Sequence, residues 1–151
     1  MRILAVFVLL LFAPAFGMCF DFDAYAESSL DEATASLDID PRVNYWLDAS
    51  HPRYQTTAHY TGRRRPINTE TRKFIEMWVK SFKHPPSYVT LFREEVEIRQ
   101  GSSVHWMPIQ HSLSAPFFDE VQPQERVRVF VLLIGALEHT PVFTISSFTS
   151  E

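Results

Sequence analysis

The chain has 151 residues, which is room for one domain and hardly two. Its formal net charge of −4 gives no footing for a dedicated nucleic-acid protein, and a single cysteine, Cys19, excludes an internal disulfide. Only four glycines are present, with no phosphate-cradling glycine loop and no G-x-S-x-G elbow.

Residues 3–20, "ILAVFVLLLFAPAFGMCF", are uncharged and apolar and follow Arg2. A cationic start before an apolar run is the layout of a secretory signal peptide. The run also approaches the minimum for a membrane span, so a retained anchor is the competing reading. Residues 24–26, "AYA", have the small-x-small form of a cleavage site, and cutting there makes Glu27 the first mature residue. Ala13 with Ala15, or Ala15 with Gly17, offers an earlier cut at 15–17. Lipidation of Cys19 is a third option, disfavoured because Met18 precedes it where a lipoprotein signal carries a small residue. The expected product is an exported protein, periplasmic or secreted, with residues 1–26 removed.

From Asp21 to Asp40 there are seven acids and no Lys or Arg, and Leu30, Ala33 and Leu37 fall at helical spacing. Residues 27–41 therefore read as an acidic, partly ordered lead-in to a single domain over 42–151. From Arg42 to His84 nine Lys and Arg stand against three acids. "RYQTTAHY" (53–60) reads as a strand after the break at Pro52. "TGRRRPI" (61–67) then reads as a loop carrying Arg63, Arg64 and Arg65.

Asn68 or Thr69 can cap a helix in which Phe74, Ile75, Trp78, Val79 and Phe82 form one apolar stripe. Pro85 and Pro86 end it. A hairpin follows, with Val96 and Ile98 on one face, a turn at Gly101, and "VHWMPI" returning. Parity within that return predicts Val104 and Trp106 toward the core and His105 toward solvent, with Pro108 ending the pairing. Residues 111–125 read as a long connection with a helical turn around Phe117. "RVRVFVLLIG" (126–135) is the strongest strand and "VFTISSF" (142–148) the last. The predicted fold is α+β: a small curled antiparallel sheet or partial β-barrel with one amphipathic helix packed on it.

Arginine forks match phosphates and carboxylates, which makes Arg63, Arg64 and Arg65 the first candidate binding surface. Trp106, Gln110 and His111 form a second, since aromatic rings beside amides suit sugar or peptide recognition. Tyr45, Trp46, Tyr54 and Tyr60 either join that groove or fill the core, and the core is preferred. His105, His111 and Asp119 are the candidates for a small hydrolase or metal-dependent enzyme. Their spacing lacks the tight pairs of zinc sites, and no metal or cofactor is expected. "DASH" (48–51) sets Asp, Ser and His side by side, but a triad is assembled from separated positions, so a turn is expected.

The stretch "EVEIRQGSSVHWMPIQHSLSAPFFDEVQPQERVRVFVLLIGAL" resembles small exported bacterial proteins of unassigned function. In these a hairpin ends in W-[LM]-P-[VI]-Q, here Trp106 to Gln110, and an apolar strand ending in glycine follows, here Val127 to Gly135. The resemblance covers the last third of the chain. It implies export and a β-rich fold, and it carries no catalytic residues across. The expectation is a non-catalytic exported binding or accessory module of the bacterial envelope. Its partner would be an envelope protein or an anionic ligand, with no nucleic acid, and the membrane only if the N-terminal segment is retained or Cys19 lipidated.

Overall fold

The computed structural model describes residues 20–151. The signal-peptide run, the earlier cut sites and Cys19 lie outside the described residues. The rest is mixed α+β. Its elements are β1 (Ala26–Glu27), α1 (Leu30–Ala35), β2 (Tyr45–Leu47), β3 (Arg53–Pro66), α2 (Thr69–Ser81), β4 (Phe92–Gln100), β5 (Ser103–Gln110), α3 (His111–Glu120), β6 (Arg126–Leu137) and β7 (Thr140–Ser150). All seven strands belong to one sheet, and the ring β3–β4–β5–β7–β6 closes back onto β3. The curled sheet is thus a barrel. Its ladders are antiparallel except for β1 on β3 and β5 on β7, which are parallel.

Closure depends on the bend in β3. Its first half pairs with β6, from Arg53↔Leu132 to His59↔Arg126, and its second half with β4, from Arg64↔Val96 to Pro66↔Glu94. The register shifts between Tyr60 and Arg64, around Gly62 at φ +92°. A Cβ on Gly62 would also lie 2.8 Å from Pro123 Cβ, so glycine suits both the turn of the backbone and the close approach. This corrects the loop expected at "TGRRRPI". The arginines continue the strand because Arg64 and Arg65 pair with Val96 and Glu95, and a cross-strand carboxylate offsets the charge that suggested a solvated loop.

The hairpin is where expected, but its parity is reversed. The two-residue turn Gly101–Ser102 pairs even residues of β4 with odd residues of β5: Ile98↔His105 and Val96↔Met107. Val96 and Ile98 face the barrel interior, so Met107 and Ile109 do as well, all four fully buried. Trp106 therefore lies on the outer face, half-buried, with Val104, which is 52 % exposed. His105, expected in solvent, points inward.

Among the described residues three α-helices, not one, cover the barrel. α1 sits at the end that carries the β4–β5 turn, with Leu30 and Ala33 buried in the barrel core. The backbone N–H of Leu30 donates to Gln100 Oε1 at 2.7 Å, and Ser29 and Glu32 close a reciprocal capping box. The acidic segment therefore contributes to the core of the same body. α3 covers the opposite end, where β5 runs out. Phe117 is fully buried and meets the rings of Tyr60 at 5.2 Å and Phe148 at 5.0 Å. Ser112, Ser114 and Pro116 hid this helix in the sequence, yet burial of Phe117 and Val121 outweighs their poor propensity. α2 begins at Asn68, whose side chain accepts the Thr71 N–H at 2.7 Å. Its stripe of Phe74, Ile75, Trp78 and Val79 buries against Phe92, Ile134 and Val142 in a second core.

Candidate functional site

β5 and β7 run parallel and meet at Ile109↔Ile145, the one pair between them among the described residues. Toward the start of both strands they part. The fork opens a cleft of about 460 Å³, lined by residues of both parities on each strand, including Val104, His105, Trp106 and Met107 of β5 and Val142 and Phe143 of β7. Met107 and Phe143, buried in the core, lie at its depth. Arg65 and Glu95 form one side, the first turn of α2 another, and Leu137, Glu138 and Thr140 bring in the β6–β7 turn.

Beside this opening the outer face of the barrel is tied together by charge. Arg65 Nε donates to Glu95 Oε2 at 2.6 Å, and the Glu95 side chain is 1 % exposed. Arg63 Nη1 donates to Glu97 Oε2 at 2.9 Å, and Thr61 Oγ1 donates to Glu97 Oε1 at 2.9 Å. Both guanidinium groups also approach the ring of Trp106, at 4.0 Å for Arg65 and 5.3 Å for Arg63. Register causes this. Glu97 lies opposite Trp106 on the outer face, so side chains from β3 must cross β4 to reach it. Arg64 has the other parity and sits 4.4 Å over Phe118. The triplet is therefore divided, with Arg63 and Arg65 committed to carboxylates and Arg64 on a different surface.

The second candidate patch is divided too. Trp106 lines the cleft, while His111 begins α3, is exposed, and lies in a separate hollow with Arg64, Arg65, Arg93 and Glu94. Its Nε2 is 3.3 Å from Arg93 Nη1. Gln110 ends β5 opposite Phe92 and lines neither opening. Of the other aromatics, Tyr60 is core, Tyr45 is exposed, and Tyr54 packs at the core edge.

His105, His111 and Asp119 are not brought together. His105 meets Phe143 edge-on at 6.2 Å, His111 faces Arg93, and Asp119 is exposed on α3. Burial pushes the His105 pKa below its usual 6.5, opposed by the charge of Asp31, and its Nε2 is buried without a hydrogen-bond partner among the described residues. Among the described residues no cluster of three His, Cys, Asp or Glu is placed to hold a metal ion.

"DASH" forms a turn. Asp48 Oδ1 accepts from Ser50 N at 2.8 Å and Ser50 Oγ at 2.6 Å, and His51 takes a positive φ of 47°. His51 then packs with Trp78, Phe82 and His84, its ring centroid 5.7 Å from that of His84. Burial, then the charge of His84, lowers the His51 pKa. Nothing local in the sequence marks this cluster, since His51 and His84 come from segments far apart in the chain. Glu70, Glu95, Glu138 and Thr140 are likewise unmarked as cleft residues. No periodicity marks them, because they meet only through barrel closure.

Comparison with family models, with curated proteins and with solved structures finds no match to this chain.

Proposed function

We propose that this chain is a non-catalytic, exported binding module whose ligand occupies the cleft at the β5–β7 fork. The observation that carries this is the placement of the cleft: a concavity with an apolar lining of Val104, Leu137 and Pro141, a half-buried tryptophan on one wall and a few polar groups at its edge. Ligand sites are built this way, and about 460 Å³ falls within their usual range of roughly 300–1,000 Å³. Architecture supports the same reading. Five-stranded Greek-key barrels of the oligonucleotide- and oligosaccharide-binding type present ligands on the face of their second and third strands, between the loops after the first and fourth. Counting only the ring, β4 and β5 are second and third, α2 lies in the connection after the first, and the β6–β7 turn follows the fourth. The likeness is one of connectivity and assigns no ligand.

Export rests on the cationic start and apolar run at residues 1–20. Within the described part, Phe20, Phe22 and Tyr25 pack around Phe130, with centroids 4.8–5.7 Å from its ring, and Gln55 Nε2 donates to the Tyr25 carbonyl at 2.8 Å. These contacts favour a cut ahead of Phe20 over one after Ala26, which would remove Tyr25 and half of β1. The intact mass of the mature protein decides between them.

A thermal-shift screen tests the cleft. Libraries of basic peptides, acidic peptides and neutral oligosaccharides are run against three proteins: the parent, Thr140→Trp to fill the cleft, and Arg64→Glu away from it. A hit at about one hundred times its Kd stabilises by about 2.7 kcal/mol. The expected hit raises the Tm of the parent and of Arg64→Glu but not that of Thr140→Trp. A hit that survives cleft filling and fails with Arg64→Glu overturns the assignment.

A further inference from the structure

The cleft is bordered by two strand arms that are not paired with each other. Back from Ile109↔Ile145, β5 extends six residues to Ser103 and β7 five to Thr140, so five residues, Val104–Pro108 and Thr140–Thr144, are common to the two arms. At a rise of 3.3 Å per residue each gives an edge of about 16 Å. The arms are parallel, so an inserted strand is either parallel to both or antiparallel to both.

Their backbone groups are turned to receive it. Gly101, at φ +58°, opens a two-residue turn, and the pair that closes such a turn, Gln100↔Ser103, is hydrogen-bonded. Alternation along the ladder then directs the N–H and C=O of Val104 and Trp106 away from β4, toward the fork. In β7 the two-residue turn at Glu138 and His139, both at positive φ, makes Leu137↔Thr140 the closing pair, so Pro141 faces the fork. Pro108 and Pro141 both stand where an N–H would point into the gap, which is where a proline costs the neighbouring ladders nothing.

The side chains define the occupant. Of the charged residues lining the cleft, Glu70, Glu95 and Glu138 face one cation, Arg65, which is already paired with Glu95. His105 is held toward its neutral form by burial. Glu70 keeps only an exposed contact of 3.3 Å with Lys73, and the Asn68 side chain already occupies the Thr71 N–H at the start of α2. The rim is acidic, and an anionic ligand would meet two carboxylates with no free cation among the described lining residues.

We propose that the cleft takes an extended peptide segment carrying Lys or Arg, added as a further strand between β5 and β7. The proposal rests on the cleft being the ligand site and names the occupant. Main-chain hydrogen bonds to Val104 and Trp106 supply affinity, and the side chains of the segment reach Glu70, Glu138 and the apolar lining of Trp106, Leu137 and Pro141.

The test uses capped heptapeptide pools with Lys or Arg at alternate positions and Val, Thr or Tyr between them. A matched pool carries Glu in place of the basic residues, and a third repeats the basic pool with alternate amides N-methylated. The readout is amide hydrogen exchange of Val104 and Trp106 in the full mature chain. At millimolar concentration the basic pool is expected to slow both amides by about tenfold or more. The Glu pool should bind about tenfold more weakly, and N-methylation should remove the effect. Equal protection by the N-methylated or the Glu pool overturns strand addition or the charge assignment while leaving the cleft as a binding site. No protection by any pool overturns the proposal. A chitooligosaccharide series that then shifts the Trp106 indole resonance keeps the broader cleft assignment, and one that leaves it unmoved removes that as well.

Discussion

The barrel closes on one side by a ladder and on the other by a single pair. Between β3 and β6 seven consecutive residues are in register, from Arg53↔Leu132 to His59↔Arg126. Between β5 and β7 the register holds only Ile109↔Ile145. Buried apolar groups back the first seam along its length, whereas the second parts over a cleft. The difference separates what keeps this barrel folded from what its surface is free to bind. Interactions at the sealed parts should show up as stability, and those at the fork as recognition.

Several substitutions probe that division. Phe117→Ala removes the ring that seals the barrel end against Tyr60 and Phe148. It should cost about 3–5 kcal/mol in urea unfolding. Gly135→Ala strikes β6 where β2 and α2 converge. Its Cβ would lie 2.0 Å from Trp46 O and 3.0 Å from Phe74 Cζ, at φ +146°. A loss of about 2–4 kcal/mol is expected from that collision and strain, read the same way.

Arg65→Ala tests the wall of the cleft. It leaves Glu95 buried without its cation, but the Arg65 side chain is 39 % exposed, so water screens part of the pair. The expected cost is about 1–3 kcal/mol, and adding Glu95→Gln should recover a good part of it, because the unpaired charge is then gone. A cost equal to that of Phe117→Ala would make this wall structural and break the comparison.

His105 gives a smaller, pH-dependent effect. Its folded pKa is lowered by burial, so below about pH 6.5 the unfolded chain takes up the proton first. Stability should be full above that pH and decline as pH falls toward the folded pKa. His51 acts in the same direction. His105→Gln should flatten part of the decline in the urea midpoint, and a profile identical to the parent would contradict the inward placement. Val104→Lys should change stability least, by within about 0.5 kcal/mol, since the side chain is 52 % exposed on the outer face. A cost well above that would mean that the fork is already packed shut.

What could be read from the sequence follows the same division. α2 was legible with its Asn68 cap and apolar stripe because helix periodicity and capping are local. The β4–β5 hairpin and β6 were legible for the same reason. The side of β5 was not. Val104 and Trp106 form as good an apolar face as Met107 and Ile109, and only the turn length, acting through pairing with Ile98, decides which points inward. α3 was hidden because its serines and Pro116 weaken every local signal, while its support comes from Tyr60 and Phe148. The arginine triplet is one feature in the sequence, and strand alternation splits it. The cleft could not be read at all, since β3, α2, β5 and the β6–β7 turn contribute to it from positions spread over the chain.

The two prolines at the fork bear on how this protein behaves at high concentration. A sheet with a free edge invites its own copies to stack onto it, and repetition of that contact builds fibres. Pro108 and Pro141 each remove a donor from one open edge, and the charged rim repels an identical rim. A gap that admits one short segment is thereby made a poor template for an endless one, and the chain can keep an unfinished seam without polymerising through it.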